Sequence, residues 1–223
     1  LVHNWAKASN DVGSGQVEAS ADAFLNALLD SNGDNWITNN YLDLENGLSE
    51  KSFHFIGHSR GTSVVSEIVQ RFGIFNIDVG YVTNLDVHDF DEHNDPNTVG
   101  DEAVPFDGKF HDPDVQVWNN TLYADNFYQI TSTALIPSGR QINQLKHNDN
   151  RYQRNISGLD RIGDGLLNNK HGAPIYYYLG SIEPYNWRGN QGDDWYITNN
   201  ISSPYDFGFS LWRKKGGHLF EGS

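Results

Sequence analysis

The chain has 223 residues, a length that fits one domain because a single hydrophobic core can grow to about 250 to 300 residues before chains divide. Its 29 acidic and 15 basic side chains give a formal net charge of −14, which repels the phosphates of nucleic acids and the anionic surfaces of membranes. There is no cysteine, so disulfides, thiolate nucleophiles and thiolate metal sites are excluded. We therefore predict one domain, residues 1–223, with no nucleic-acid partner.

Signals for targeting are equally sparse. The sequence has no run of about 18 apolar residues, which a membrane-spanning helix requires, and its first residues do not form a signal peptide. Methionine is absent as well, from which we expect a processed product or a piece of a longer precursor. The compartment stays undetermined, with a secreted or periplasmic location as the first expectation.

Helix and strand patterns alternate along the first half of the chain. Apolar residues at helical spacing predict a helix over residues 16–30. The short, mostly apolar run Ser52–Ile56 predicts a buried strand, and helical spacing from residue 62 to a stop at residue 73 predicts a second helix. Further strand-like runs are Tyr81–Leu85 and Val115–Trp118.

This alternation predicts the α/β class, with a mostly parallel sheet and helices on both of its faces. Two polar, glycine- and asparagine-rich intervals, near residues 87–114 and 131–170, interrupt the pattern. We predict loops or a lid there. Residues 183–209 carry scattered aromatic side chains between turn residues, and we expect loop structure in that interval too.

The sequence Gly57-His58-Ser59-Arg60-Gly61 matches the pattern G-x-S-x-G. It lies between a predicted strand and a predicted helix, which is the context of a nucleophile elbow, whereas a chance match would lack these flanking elements. We expect both glycines to keep the strand and the helix from colliding at so sharp a turn. The backbone N–H of Arg60, at the start of the helix, is expected to donate to the oxyanion of a tetrahedral intermediate.

A serine hydroxyl needs a base, and that base is usually a histidine held by a carboxylate. With the order serine, acid, histidine along an α/β-hydrolase chain, the three histidines before Ser59 are excluded. The remaining candidates are His88, His93, His111, His147, His171 and His218. The first three lie in an acidic interval, where we expect solvated or metal-seeking side chains. We choose His171 as the base.

Several segments resemble the pancreatic-type lipase family of α/β-hydrolases, over about half of the chain. Asn4–Ser9 resembles the family's Asp-Trp-x-x-x-Ser, with asparagine in place of aspartate, and Phe53–Gly61 resembles its His-x-Ile-Gly-His-Ser-Leu-Gly elbow. Val82–Asp86 resembles its Val-Thr-Gly-Leu-Asp-Pro-Ala, although Val87 replaces the proline. Finally, His171 with the downstream pairs Tyr177-Tyr178 and Ser181-Ile182 is similar to the segment that follows the family's catalytic histidine. Arg60 stands where leucine is usual.

The resemblance implies an α/β-hydrolase that cleaves carboxylic esters, small or lipid, through an acyl-enzyme on a Ser59-Asp86-His171 triad. Asp125 is the rival acid, because most α/β-hydrolases place the acid after a later strand, and Val115–Trp118 could be that strand. If Asp125 is not the acid, we expect it to cap a turn. Since no cysteine is present, any kinship is expected with a microbial branch.

Two parts of the family pattern are missing or open. The second oxyanion donor of these lipases comes from a loop well upstream of the elbow, and only four residues precede Trp5. We expect the first strands to be missing, or supplied by a lost segment or a second chain. The alternatives are a hydrolase-like binding module without catalysis, and a hydrolase of another acyl bond, such as a polyester or an amide.

The chemistry predicted here requires no cofactor and no metal. One acidic interval nevertheless offers a density of hard oxygen ligands that could bind Ca²⁺, although the EF-hand spacing is absent. A solvated acidic loop is the alternative. The side chains concerned are Asp89, Asp91, Glu92, Asp95, Asp101, Glu102 and Asp107.

Overall fold

The computed structural model describes residues 4, 5, 7, 9, 14–29, 53–88, 112–130, 139–142, 151–157 and 170–182. Three helices and four strands lie within these ranges. In chain order they are α1 (Gln16–Leu29), β1 (His54–His58), α2 (Gly61–Ile74), β2 (Val79–Leu85), β3 (Thr121–Tyr128), β4 (Arg151–Asn155) and α3 (Ala173–Ile182), the last preceded by a 3-10 turn at Lys170–Gly172.

The four strands form one parallel sheet in the order β1-β2-β3-β4. The register is continuous across the first three strands: His58 pairs with Leu85, and Leu85 pairs with Phe127. Parallel neighbours need crossover connections, and α2 is the crossover between β1 and β2. The predicted α/β class with a parallel sheet is confirmed.

Helices pack against both faces of this sheet. On one face, the ring of Phe72 from α2 meets the rings of Phe53 and Phe55 edge to face, at centroid distances of 5.0 and 5.4 Å. On the other face, Tyr177 of α3 lies with its ring centroid 5.3 Å from that of Phe127. Phe127 is in register with His58, three residues beyond Phe55, and side chains an odd number of positions apart point to opposite faces.

The first helix packs beside α2 on the same face of the sheet, where the ring of Phe24 lies 5.9 Å from that of Phe55 in β1. Its apolar stripe is buried together with the apolar side chains of α2, and this stripe is the set from which the helix was predicted. The helix predicted over residues 16–30 is therefore confirmed, with its observed end at Leu29. The stripe consists of Val17, Ala21, Phe24, Leu25 and Leu28.

The predicted strand at Val115–Trp118 is wrong, because this segment is not part of the sheet formed by the described strands and β3 begins only at Thr121. Val115 and Val117 are buried in a small apolar cluster, so the alternating pattern reflects packing. The backbone N–H of Gln116 donates to Ser66 Oγ (3.1 Å) and not to a strand. Conversely, β4 falls within the interval 131–170 that was predicted as loop or lid.

Two strand boundaries are also displaced. β1 starts and ends two residues later than predicted, and β2 begins two residues earlier. Within the described residues, no helix is long and apolar enough to cross a membrane.

The packing of α2 on β1 predicts a large difference between two phenylalanines at the end of that helix. Phe72 is fully buried, so Phe72→Ala should lower the free energy of unfolding by about 3 to 5 kcal/mol through lost burial and a residual cavity. Phe75, which is 54% exposed, is the matched control, and Phe75→Ala should cost less than about 1 kcal/mol. Urea denaturation measures both. Equal losses would contradict the assignment of Phe72 to the core.

Candidate active site

Ser59 occupies the turn between β1 and α2, with φ at +55°. Side chains with a Cβ rarely adopt this left-handed conformation, so the surroundings must hold it in place. The Ser59 N–H donates to Leu85 O (2.9 Å), which continues the ladder from β2. On the helix side, Thr62 donates to Ser59 O from both its N–H (2.9 Å) and its hydroxyl (2.6 Å). This is the strand-turn-helix geometry of a nucleophile elbow.

The two glycines of the motif differ in their surroundings. A Cβ at Gly57 would lie 2.8 Å from both the Gly61 carbonyl oxygen and the Thr62 Cα. A Cβ at Gly61 would meet nothing closer than Trp5 Nε1 at 4.0 Å. The expectation that both glycines prevent a collision therefore holds for Gly57 and is wrong for Gly61.

Asp86 lies beside the serine at the same edge of the sheet. Because His58 and Leu85 are paired at the ends of β1 and β2, the residues that follow them, Ser59 and Asp86, leave the sheet next to each other. Asp86 also has a positive φ, +52°, and its N–H donates to Phe127 O (2.7 Å). Its side chain is fully buried.

The Asp86 carboxylate holds His171, which lies in the 3-10 turn before α3. The distance from Asp86 Oδ2 to His171 Nδ1 is 2.7 Å, and the histidine side chain is 22% exposed. Burial alone would raise the pKa of the Asp86 carboxyl, but hydrogen bonds from His171 and His88 together with the charges of these two rings hold that pKa below its usual value. Asp86 is therefore an ionised, buried partner for an imidazole that is open on one side.

Asp125, the rival acid, lies within β3 and not beyond its end. It is in register with Thr83, three residues before Asp86, which places it about 10 Å back along the strand direction. Its carboxylate accepts a hydrogen bond from the Tyr81 hydroxyl (2.6 Å). The structure thus brings Asp86 to His171 and gives Asp125 a buried place inside the sheet, which corrects the expectation of a turn cap.

Ser59 and His171 are linked through His58. His58 Nε2 lies 2.9 Å from the His171 carbonyl oxygen, and the two rings are 4.6 Å apart between centroids. Burial is the main cause that lowers the pKa of His58. Among the described residues, the direct bond from Ser59 Oγ to His171 Nε2 is not formed; such bonds often tighten only when substrate binds.

Arg60 contributes its main chain and not its charge to this site. It directly precedes α2, so its N–H lies at the positive end of the helix beside Ser59. Its guanidinium is buried and paired with both carboxylate oxygens of Asp112, at 2.5 and 2.7 Å, and also donates to Ser9 O (2.9 Å). It lies over the Trp5 ring at 5.6 Å.

Two residues around Asp86 were missed by sequence reasoning. His88 was expected to be solvated or metal-seeking, but it is fully buried, with Nε2 3.4 Å from Asp86 Oδ2 and its ring 4.8 Å from that of His171. Gln129 donates to Asp86 from its backbone N–H and from its side chain. For His88 the sequence offers one weak indication, its position two residues after a predicted triad acid. For Gln129 the sequence offers none.

Asp86, His88 and His171 present ligand atoms within 4.8 Å of one another, a spacing that a divalent metal can bridge. The donor set argues for a different use, because both carboxylate oxygens of Asp86 already accept N–H groups. The acidic side chains of the Ca²⁺ expectation lie outside the described residues, so that expectation stays a prediction. The other candidate histidines, His93, His111, His147 and His218, also lie outside the described residues.

No protein-family model matches this sequence, and comparisons with curated proteins and with solved structures find no match.

The contrast between the two motif glycines predicts opposite effects of alanine. Gly57→Ala should lower the free energy of unfolding by about 1 to 3 kcal/mol, because the added methyl group meets backbone atoms that cannot move independently. Gly61→Ala, the control, should leave stability unchanged or raise it by up to about 1 kcal/mol, since alanine favours a helix. Denaturant titration of both variants measures this. A destabilising Gly61→Ala would show that the helix start is more crowded than described.

Proposed function

We propose that this protein is a serine hydrolase of carboxylic esters, an esterase or lipase of the α/β-hydrolase type. One observation carries the proposal: Ser59 occupies a left-handed strand-to-helix turn beside Asp86, whose ionised carboxylate holds His171. These are the residue types of a serine triad, in the chain order of α/β-hydrolases. The resemblance to pancreatic-type lipases in the same segments supports an ester as the substrate.

In the proposed mechanism, Ser59 Oγ attacks the ester carbonyl carbon while His171 takes the hydroxyl proton. The tetrahedral oxyanion is stabilised by the Arg60 N–H. Its collapse expels the alcohol, which receives the proton from His171, and leaves an acyl group on Ser59. Water, deprotonated by His171, then attacks the acyl carbon, and the acid is released as the proton passes from His171 to Ser59 Oγ. Asp86 keeps the imidazole in the required tautomer and stabilises its cation throughout.

The alternative hydrolases differ in the acyl bond that they cleave. Turnover of short against long p-nitrophenyl esters, of amides and of polyester films separates an esterase, a lipase and hydrolases of the other two bonds. A non-catalytic binding module would hydrolyse none of them. It would also leave a fluorophosphonate probe unreacted, because only an activated serine is labelled.

Ser59→Ala should abolish fluorophosphonate labelling and lower ester hydrolysis by about 10⁶-fold, because binding and the oxyanion donor cannot replace the nucleophile. His171→Ala should be nearly as damaging. His218→Ala serves as the control and should have a mild effect, since only one base can lie within hydrogen-bond reach of the serine oxygen. Labelling and turnover are measured on proteins with matched denaturation curves. Retained activity in Ser59→Ala would contradict the proposal.

The acid is tested by asparagine at the two aspartates. Asp86→Asn should slow turnover by up to about 10⁴-fold, since the imidazole loses its preferred tautomer and the stabilisation of its cation. Asp125→Asn keeps an acceptor for the Tyr81 hydroxyl and should have a small effect. Steady-state kinetics of both variants measure the difference. If Asp125→Asn were the more damaging change, Asp125 would be the acid, and the role that the resemblance to pancreatic-type lipases implies for Asp86 would be wrong.

A further inference from the structure

Gln129 stands immediately beyond the end of β3, at the same edge of the sheet as Ser59 and Asp86. It is buried, with 1% of its surface exposed. Its backbone N–H donates to Asp86 Oδ1 (3.0 Å), and its side-chain Nε2 donates to Asp86 Oδ2 (3.2 Å). A single residue therefore contacts both oxygens of the carboxylate that holds His171.

The direction of the amide follows from the charge of its partner. An ionised carboxylate can only accept hydrogen bonds, so the amide nitrogen of Gln129 and not its oxygen must face Asp86. With one oxygen on the main chain and the other on the side chain of the same residue, the carboxylate cannot rotate about its Cβ–Cγ bond without losing both bonds. In the observed orientation, Oδ2 faces His171 Nδ1.

Gly139 lies against Oδ1 of the Asp86 carboxylate. Its N–H donates to the Gln129 carbonyl oxygen (2.8 Å), which ties its segment to the end of β3. A Cβ at Gly139 would overlap with Asp86 Oδ1, so glycine is required where the chain passes the carboxylate. Gly139 thus leaves room for the carboxylate that Gln129 and His171 bind.

We propose that Gln129 is a positioning residue, which fixes the plane of the Asp86 carboxylate so that Oδ2 is directed at His171 Nδ1. The inference rests on the proposed function for the role of His171 as the base. As a positioning residue, Gln129 acts through Asp86, and Gly139 provides the space that this placement needs.

The pKa of the Asp86 carboxyl depends on the titratable and charged groups that face it. The titratable neighbours are His171 before α3, His88 after β2, and His58 in β1. From the β3 side the donor is the uncharged Gln129. Arg140, beside Gly139, directs its guanidinium to the carbonyl oxygens of Gln141 and Val115. Removing the Gln129 side-chain donor therefore removes a bond to the charged form of Asp86 without changing the net charge of the site.

The test is Gln129→Met, which keeps the length of the side chain and the backbone donor but has no amide N–H. We expect kcat to fall by about tenfold with KM changed less than twofold, as for loss of one hydrogen bond to a charged group. The pKa of the Asp86 carboxyl should rise in this variant, because the ionised form loses a hydrogen bond. The matched control is Val69→Ala in the core of α2, which should lower stability without moving either quantity.

Two further measurements keep the proposal testable. The first applies if Gln129→Met folds poorly, and the second applies if the enzyme is inactive on the esters tried. Gly139→Ala displaces the carboxylate directly and should also lower kcat. In the Ser59→Ala background, carbon NMR reports the pKa of the Asp86 carboxyl, which should rise in Gln129→Met whether or not the protein is an esterase.

An unchanged kcat and an unchanged Asp86 pKa in Gln129→Met would overturn the positioning role. So would changes that Val69→Ala reproduces at equal loss of stability. A wild-type protein that neither hydrolyses esters nor reacts with fluorophosphonate overturns the proposed function instead, while the NMR measurement still decides whether Gln129 holds the carboxylate.

Discussion

The parallel, in-register pairing of β1 with β2 determines the position of everything at the site. Both strands end at the same level of the sheet, at His58 and Leu85, so the residues that follow emerge as neighbours. Ser59 and Asp86 both turn away through a left-handed backbone, each at a cost of about 1 to 3 kcal/mol that the surroundings must offset. The ladder bond from the Ser59 N–H to Leu85 O joins the two turns, so neither can shift without the other.

The burial of Asp86 then determines what surrounds it. A carboxylate removed from water is strongly unfavourable unless it is paired and hydrogen-bonded, and the pKa of Asp86 is nevertheless lowered. Its donors come from three parts of the chain: His171 in the 3-10 turn before α3, Gln129 directly after β3, and His88 two residues after Asp86 itself. The buried charge thereby links the ends of two strands to the start of a helix. The contacts that stabilise this charge also hold the His171 imidazole in place.

Sequence reasoning found the first two helices from their apolar buried faces and missed the two strands that are rich in polar side chains. α1 and α2 were predicted because their buried side chains are hydrophobic and repeat at helical spacing. β3 contains the buried Asp125 and Asn126, unlike the apolar run expected of an internal parallel strand, and β4, the last strand of the described sheet, reads Arg-Tyr-Gln-Arg-Asn. Their polar side chains bond to distant partners, for example Asn126 Nδ2, which donates to the Arg140 carbonyl oxygen. Such pairings depend on the folded chain and leave no local pattern.

At the site, too, the sequence indicated some residues and gave no indication of the contacts between them. Ser59 has a motif, and Asp86 and His171 were selected by short similarities to a family, whereas the contacts that separate His171 from His88 exist only in three dimensions. Both imidazoles approach the same oxygen of Asp86, at 2.7 and 3.4 Å. His88 is fully enclosed, so a proton on its ring has no route to a substrate, while His171 is partly open and is bound through its carbonyl oxygen to the residue before Ser59. Access, more than proximity to the carboxylate, therefore favours His171 as the base in the proposed mechanism, with His88 as part of the enclosure around the buried Asp86.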